Sequence, residues 1–238
     1  PELAGTNGEW PDRLYQGSTV ALDHRSGRLV WWAQHHSDMW NDDAVYDRIL
    51  VNARVDPDPP NALGINPSID ADETRELVVG SFSKDAIFYV YDRTDGTFLY
   101  ARPTAYQNII AGYEGTTGAY IIEPDAVMTA NIDHEATICR ENRQIPQGAY
   151  SPLTNAYYVP AFNGPCSVMK LDSSDPSIDT GYNTSYIATE PSPADQLGQP
   201  EAIDVTTGKT LWRLERETPL YGMLTTGGGL VFAADTNR

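Results

Sequence analysis

A short hairpin motif occurs twice in the chain and a third time in degenerate form. Residues 21–31 read ALDHRSGRLVW and residues 202–212 read AIDVTTGKTLW, which both fit A-x-D-x-x-[ST]-G-[KR]-x-x-W. Residues 90–100, VYDRTDGTFLY, keep the Asp and the Gly but carry Tyr where the Trp would stand. The motif predicts a strand, a tight turn that begins at Asp and needs Gly at a positive φ, and a second strand with a large aromatic side chain. Repetition of one hairpin favours a repeated β architecture.

Other apolar runs also predict strands, because they are rich in Val, Ile, Tyr and Phe and are bounded by Gly, Pro, Asn or Asp. With 17 Pro and 19 Gly spread along the chain, we expect few and short helices. The predicted fold class is therefore all-β and mainly antiparallel. The predicted strands are STVAL, RLVWWAQ, RILVNARV, ELVVGSF, AIFYVYD, TFLYA, NAYYVPAF, SVMKLD, TLWRLE and GLVFAAD.

The spacing of the motif predicts blades of a β-propeller. The copies begin at Ala21, Val90 and Ala202, so the blades would be lengthened by insertions at 56–73 and 108–152, neither of which reads as a repeat. Two or three complete blades cannot close a ring, and the final GGLVFAADTNR reads as the first strand of another blade. We therefore expect residues 1–238 to be part of a single propeller domain of a longer protein.

The charge of the chain excludes several partners. The formal charge is -17, with 33 acidic residues against 16 Lys and Arg, and this repels nucleic acid and anionic lipid. No apolar run approaches the roughly 18 residues that would span a bilayer, and the first residues do not form an export signal. We expect a soluble chain whose leader, if it has one, has been removed or lies outside this sequence. The two cysteines are either buried thiols or a disulfide in an oxidising compartment.

The stretch WWAQHHSDMWNDDAV, residues 31–45, concentrates side chains that can bind a metal or move protons. The same residue types suit a solvated loop between strands, so the local sequence leaves both interpretations open. His35 and His36 are adjacent, and ligands to one metal usually need a spacing that returns both to one face. We expect these two histidines to be polar residues at a blade edge.

Four segments in order resemble the quinoprotein alcohol dehydrogenases: ALDHRSGRLVWWAQ, YVYDRTDGTFLYA, GAYSPLTNAYYVP, and AIDVTTGKTLW followed by LTTGGGLVFAAD. This resemblance implies a periplasmic eight-bladed propeller with tryptophan-docking repeats that oxidises a small alcohol. It implies pyrroloquinoline quinone (PQQ) near the axis, a Ca²⁺ or lanthanide ion beside it, and an aspartate that takes the alcohol proton. It further implies a cytochrome c-type electron acceptor, and it leaves a homodimer open.

The same resemblance places Asn41 at the family's catalytic aspartate position and Asp43 two residues later, where lanthanide-type members have an extra metal ligand. An amide oxygen can coordinate a metal, but it is too weakly basic to act as a general base near neutral pH. The base has moved to Asp42 or Asp43, the protein is a poorly active or non-catalytic relative, or Asn41 is a substitution in the sample. Asp43 shares a face with Asn41 on an extended segment, so we rank it first as metal ligand and replacement base. A solvated acidic turn is the alternative.

Three further positions match the family's cofactor site. Lys84 falls where the family has an Arg or Lys against the quinone oxygens, although a lone Lys between strands is by default an exposed charge. Gln144 replaces an Asn that hydrogen-bonds the cofactor in many members, and Tyr221 replaces a Trp near its edge. Ordinary loop and core roles are the alternatives for these two. We expect all of these side chains to converge with Asn41 and Asp43 on one cavity.

The resemblance also implies a disulfide between Cys139 and Cys166, because family members carry cysteines at both positions. The predicted function is oxidation of a small alcohol by hydride transfer to metal-bound PQQ. Two other functions stay open. One is a non-catalytic propeller of the same descent that serves as a binding or assembly module, and the other is a scaffold propeller unrelated to quinones.

Overall fold

The computed structural model describes residues 15–36, 43–127, 135–140, 147–164, 166–171, 182–185 and 197–235. Within these ranges the chain is built from β-strands and two short 3-10 turns, Pro59–Asn61 and Pro124–Ala126. The all-β prediction is confirmed. The strands are β1 Ser18–Leu22, β2 Leu29–Gln34, β3 Ile49–Arg54, β4 Gly64–Ile65, β5 Thr74–Gly80, β6 Ile87–Asp92, β7 Phe98–Pro103, β8 Ile110–Tyr113, β9 Tyr120–Ile122, β10 Ala136–Ile138, β11 Ala149–Ser151, β12 Ala156–Val159, β13 Ser167–Leu171, β14 Tyr182–Ser185, β15 Glu201–Asp204, β16 Thr210–Arg213, β17 Leu220–Thr225 and β18 Val231–Asp235.

Two antiparallel sheets have the form of propeller blades. One pairs β3, β5, β6 and β7 in chain order, with the short β4 added at the edge of β7, and the other pairs β11, β12, β15 and β16. The pair β1–β2 precedes them and the pair β17–β18 follows them. The GLVFAAD run is β18 and pairs with β17 before it. The prediction that it is the first strand of its blade is therefore wrong, because the preceding segment, PLYGMLTTG, already forms β17.

The sheet that contains β6 is buried on both faces. Tyr89 and Phe98 belong to one buried cluster, against which Trp31 of β2 packs. Leu77 and Val90 belong to a second cluster, which also contains Val159 of β12 in the next blade. Packing of each sheet between its two neighbours is the arrangement expected of propeller blades.

Trp31 docks the first copy of the hairpin motif onto the second. Its indole Nε1 donates a hydrogen bond to the carbonyl oxygen of Arg93 at 2.8 Å. The ring lies over Gly96, whose φ is +79°, and a Cβ added there would lie 2.7 Å from Trp31 Cε3. Gly is needed at this position both for its backbone conformation and for the space that the indole fills.

Tyr100 makes the equivalent contact between the second copy and the third. Its hydroxyl donates to the carbonyl oxygen of Val205 at 2.7 Å, and its ring lies against the turn at Gly208. The prediction of docking repeats is confirmed for these two junctions. The Tyr of the degenerate copy performs the same docking as the Trp.

A fourth copy of the hairpin turn lies in the segment that the sequence treats as an insertion. In GYEGTTGAY, Gly118 N–H donates to the carbonyl of Glu114 at 2.8 Å, as Gly96 does to Asp92 at 2.9 Å. Phe98 packs on this turn, since a Cβ added to Gly118 would lie 2.6 Å from Phe98 Cβ. The expectation that residues 108–152 contain no repeat is wrong. Glu in place of Asp concealed the motif.

The two cysteines lie on either side of β11 and β12 in the chain. Strand β13 pairs with β10 on one side and with β14 on the other, so β13 and β14, which come between β12 and β15 in the chain, join β10 in an added sheet. Cys139, directly after β10, is bonded to Cys166, directly before β13, with an S–S distance of 2.01 Å. The predicted disulfide is present and fastens the edge of this added sheet.

Candidate functional site

Two of the predicted site residues form an ion pair. Lys84 Nζ lies 2.5 Å from Asp43 Oδ2. The side chain of Lys84 is 5% exposed and that of Asp43 is 47% exposed. The interpretation of Lys84 as an exposed loop charge is therefore wrong. The pair presents a buried ammonium group beside a carboxylate that is open to solvent.

Lys84 projects from a buried loop between β5 and β6. The six residues SFSKDA, 81–86, are all buried, including the polar side chains of Ser81, Ser83 and Asp85. Ser81 N–H donates to the phenol oxygen of Tyr157 on β12 at 3.2 Å. The loop is thus held between two blades, so the backbone that carries the Lys84 ammonium group is fixed in place.

The segment that carries Asp43 is fixed by Arg48. The guanidinium group of Arg48 donates to the carbonyl oxygens of Ala44 at 3.0 Å and Tyr46 at 2.6 Å. Its carbon Cζ lies 4.8 Å from the centre of the Phe82 ring, a cation–π contact with the loop that carries Lys84. Arg48 therefore connects the two segments that supply the ion pair.

His35 and His36 are both fully buried, next to this loop, and are not blade-edge residues open to solvent. His35 Nε2 lies 2.7 Å from Thr19 Oγ1 and its Nδ1 lies 3.0 Å from the Tyr91 hydroxyl. Burial first, and then the charge of Arg48, hold the pKa of His35 well below its usual value. His35 is thus a neutral imidazole at physiological pH.

Asp85 is a fully buried carboxylate in the same cluster. Its Oδ1 accepts Ile87 N–H at 3.0 Å, its Oδ2 accepts the Tyr89 hydroxyl, and His36 Nε2 lies 3.8 Å from that oxygen. The Tyr89 hydroxyl is also 2.7 Å from that of Tyr113. Burial first, and then the charge of Asp85, raise the pKa of Tyr89 well above its usual value, so this phenol stays a donor.

Hydrogen bonds connect this region with the later blades. Gly148 N–H donates to Asp47 Oδ2 at 2.7 Å, and Met223 N–H donates to the carbonyl oxygen of Gln147 at 2.8 Å. The segment around Gly148 therefore lies between the segments around Asp43 and Tyr221 and contacts both. Tyr221 is 47% exposed on β17.

Of the remaining predicted site residues, Tyr221 is within the described ranges, whereas Asn41 and Gln144 are not. Asn41 and Gln144 lie outside the described residues, so their convergence with Asp43, Lys84 and Tyr221 stays a prediction. Lys84 suits the oxygens of an anionic quinone in chemical type, and Asp43 suits a hard cation. Within the described ranges, no group of three or more His, Cys, Asp or Glu could hold a metal ion. A metal would therefore need ligands beyond Asp43.

Comparison with curated proteins gives relatives over most of the chain. It is 27% identical to the 1-butanol dehydrogenase (cytochrome c) of Thauera butanivorans over 232 residues, 93% of this chain and 31% of that protein. It is 26% identical to the quinohemoprotein alcohol dehydrogenase of Comamonas testosteroni over 239 residues, 93% of this chain and 30% of that protein. The chain is related to the quinoprotein alcohol dehydrogenases. No family model matches it.

Comparison with solved structures supports the fold of this chain. The Comamonas testosteroni enzyme superposes with a TM-score of 0.75 at 23% identity, covering 94% of this chain and 32% of that one. A europium-containing methanol dehydrogenase gives a TM-score of 0.73 at 21% identity, covering 92% and 36%. The chain is part of a β-propeller, and it spans about a third of the length of the proteins it matches. The number of blades in the whole ring stays a prediction.

The sequence did not predict the buried polar cluster around Asp85, next to Lys84. Asp85 stands in the short loop SFSKD, which has apolar runs, LVV and AIFYVY, on its two sides. A carboxylate so close to two buried apolar strands is a signal of burial, although the polar loop around it is equally typical of an exposed turn. The partners of Asp85 could not be read from the sequence, since His36 is distant along the chain.

In the described part of the chain, no helix is long and apolar enough to cross a membrane.

Proposed function

We propose that the intact protein oxidises a primary or other small alcohol to an aldehyde or ketone, using PQQ and a Ca²⁺ or lanthanide ion. The observation that carries the proposal is the buried Lys84 ammonium paired with the half-exposed Asp43 carboxylate. Family resemblance assigns the quinone contact to the first position and a metal ligand to the second. The relatives are named as alcohol dehydrogenases, which supports this substrate class.

PQQ supplies a two-electron acceptor when it is bound. Lys84 would donate hydrogen bonds to its oxygens, and burial strengthens this interaction by excluding water. Gln144 and Tyr221 would contact the cofactor's periphery. Of these residues, Lys84 fits an anionic quinone by charge and by burial.

Asp43 would take the hydroxyl proton of the alcohol. Its carboxylate is reachable from solvent, whereas the Asn41 amide offers no basicity. A positioned general base contributes about 10² to 10⁴ in rate. Asp43 and the amide oxygen of Asn41 are also the oxygens that would hold the metal ion, which would need further ligands to complete its coordination.

The location and partners of the protein are part of the proposal. The Cys139–Cys166 disulfide fits an oxidising compartment such as the periplasm. A cytochrome c-type acceptor is supported by the name of the Thauera butanivorans relative. The net charge of -17 disfavours nucleic acid, and a homodimer stays an untested prediction.

Asn41 favours a second candidate function, a non-catalytic relative that keeps the propeller as a binding or assembly module. Such a protein would retain the ion pair and the blades but would lack the base at the family position. The two candidates differ in turnover and share the capacity to bind the cofactor.

The test is reconstitution of the intact protein with PQQ and either Ca²⁺ or a lanthanide, followed by absorbance and dye-linked oxidation of small alcohols. Binding with turnover supports the dehydrogenase, binding without turnover supports the module, and no binding rejects both. Asn41→Asp and Asp43→Asn separate the two base positions. If Asp43 is the base, Asp43→Asn lowers kcat by about 10²-fold or more.

A further inference from the structure

The turn that carries Lys84 is fixed by polar side chains that the proposed chemistry does not use. Ser83 and Asp85 flank Lys84 in sequence and are both fully buried. Ser83 Oγ accepts Asp85 N–H at 3.2 Å and lies 3.0 Å from His36 Nε2. Asp85 Oδ1 accepts Ile87 N–H at 3.0 Å. The backbone on both sides of Lys84 is therefore held by side-chain hydrogen bonds.

The residue after Asp85 has an unfavourable backbone conformation. Ala86 has a φ of +61°, in the left-handed region that residues with a Cβ rarely adopt. Its carbonyl oxygen accepts the N–H of Thr104, the residue directly after β7, at 2.7 Å. Such a conformation persists only where its surroundings enforce it, and such sites cluster at functional positions. Asp85 spans Ala86, because its two oxygens accept Ile87 N–H and the Tyr89 hydroxyl on the far side of that residue.

A simple connection between β5 and β6 would not need this arrangement. Two antiparallel strands are commonly joined by a two-residue turn, whereas residues 81–86 form a buried loop with a buried carboxylate. Burial of a carboxylate is costly unless its oxygens are bonded. Of the side chains in this loop, that of Lys84 reaches the half-exposed Asp43.

We propose that Asp85 is the positioning residue for Lys84. Through the backbone of the turn it holds the ammonium group against Asp43, so that the cation is in place before a ligand arrives. Preorganised charge of this kind loses little energy in rearrangement when it meets an anionic ligand. His36 supports the same turn through Ser83. The identity of the ligand as PQQ rests on the proposed function, but the positioning role does not.

The test measures the chemical accessibility of Lys84 in the intact protein by reductive methylation and mass spectrometry. Lys209 is the internal reference, because its side chain is 58% exposed. In Asp85→Ala we expect methylation of Lys84, relative to Lys209, to rise about tenfold or more, since the loop then opens more often. Tyr91→Phe is the matched control: it removes a buried hydrogen bond to His35 in the same cluster but leaves the turn intact, and Lys84 should stay protected.

Two further variants keep the test decisive if Asp85→Ala does not fold. Asp85→Asn keeps an oxygen for Ile87 N–H and should restore most of the protection of Lys84. Ser83→Ala removes the hydroxyl that accepts Asp85 N–H and should expose Lys84 without a change in core volume. Unchanged methylation in Asp85→Ala or Ser83→Ala, or an equal rise in Tyr91→Phe, would overturn the proposal.

Equilibrium dialysis with PQQ separates this proposal from the proposed function. If the wild-type protein binds PQQ, Asp85→Ala should weaken binding by about tenfold while Asp85→Asn binds nearly as well as the wild type. Equal binding by the wild type and Asp85→Ala would overturn the positioning role. If the wild type binds no PQQ but Lys84 still becomes accessible in Asp85→Ala, the proposed function fails and the positioning role stands.

Discussion

At the scale of single residues, the ion pair between Asp43 and Lys84 makes a prediction about stability. Asp43→Asn would leave the buried Lys84 ammonium without its carboxylate, which costs more than loss of an exposed pair. Because Asp43 is about half exposed, we expect a loss of about 1–2 kcal/mol in the free energy of unfolding. Urea unfolding of Asp43→Asn, of Lys84→Gln and of the double variant Asp43→Asn/Lys84→Gln measures these losses. The double variant should recover part of the loss, and strictly additive effects would contradict a direct interaction.

A second prediction at this scale concerns His35 and pH. The pKa of His35 is depressed in the folded protein, so between that pKa and the unfolded value near 6.5 the unfolded chain binds more protons. Stability is therefore complete above about pH 6.5 and falls as the pH is lowered, by about 1 kcal/mol per pH unit for this histidine. Unfolding free energies of the wild type and His35→Gln between pH 7 and pH 5.5 measure the difference in slope. Parallel curves would show that His35 does not contribute.

At the scale of elements, the docking turns allow a matched comparison of two glycines. Gly27 and Gly96 have the same position in the motif and similar φ values of +67° and +79°. A Cβ on Gly27 meets no atom within 4 Å, whereas a Cβ on Gly96 would lie 2.7 Å from Trp31. Gly27→Ala should cost about 1 kcal/mol through the backbone alone, and Gly96→Ala about 2–4 kcal/mol through backbone and overpacking. Thermal unfolding measures both, and equal costs would mean that the docked indole moves away easily.

Elements with local signals were predictable, and those defined by distant partners were not. The hairpin around Asp23 and Gly27 follows from turn chemistry and apolar runs, and so do the long strands. Strand β4 has two residues and exists because Gly64 pairs with Ala101, a partner that no local pattern indicates. The site shows the same division. The resemblance selected Lys84 and Asp43, but their contact and the burial of Asp85 arise only when blades and loops pack together.

At the scale of the whole molecule, a buried ion network connects two blades. Arg102 of β7 donates to Glu201 of β15 at 2.9 Å and 3.3 Å, and Glu201 also accepts from Arg213 at 2.8 Å. Glu201 is fully buried, and Arg102 also donates to the carbonyl oxygen of Gly208 at 2.9 Å. The network therefore supplements Tyr100 at the same junction, so loss of one partner should loosen the contact between blades.

Glu201→Gln tests this junction. The variant leaves the Arg102 guanidinium buried opposite a neutral amide, and we expect a loss of about 3–5 kcal/mol in the free energy of unfolding. Glu76→Gln is the control, because Glu76 pairs with Arg93 within one blade at 54% exposure, so its loss should be about 1 kcal/mol or less. The double variant Arg102→Met/Glu201→Leu should cost less than Glu201→Gln, since it removes the two buried charges together and leaves only the part-exposed Arg213. If Glu201→Gln were no more costly than Glu76→Gln, the blades would be held by apolar packing and aromatic docking alone.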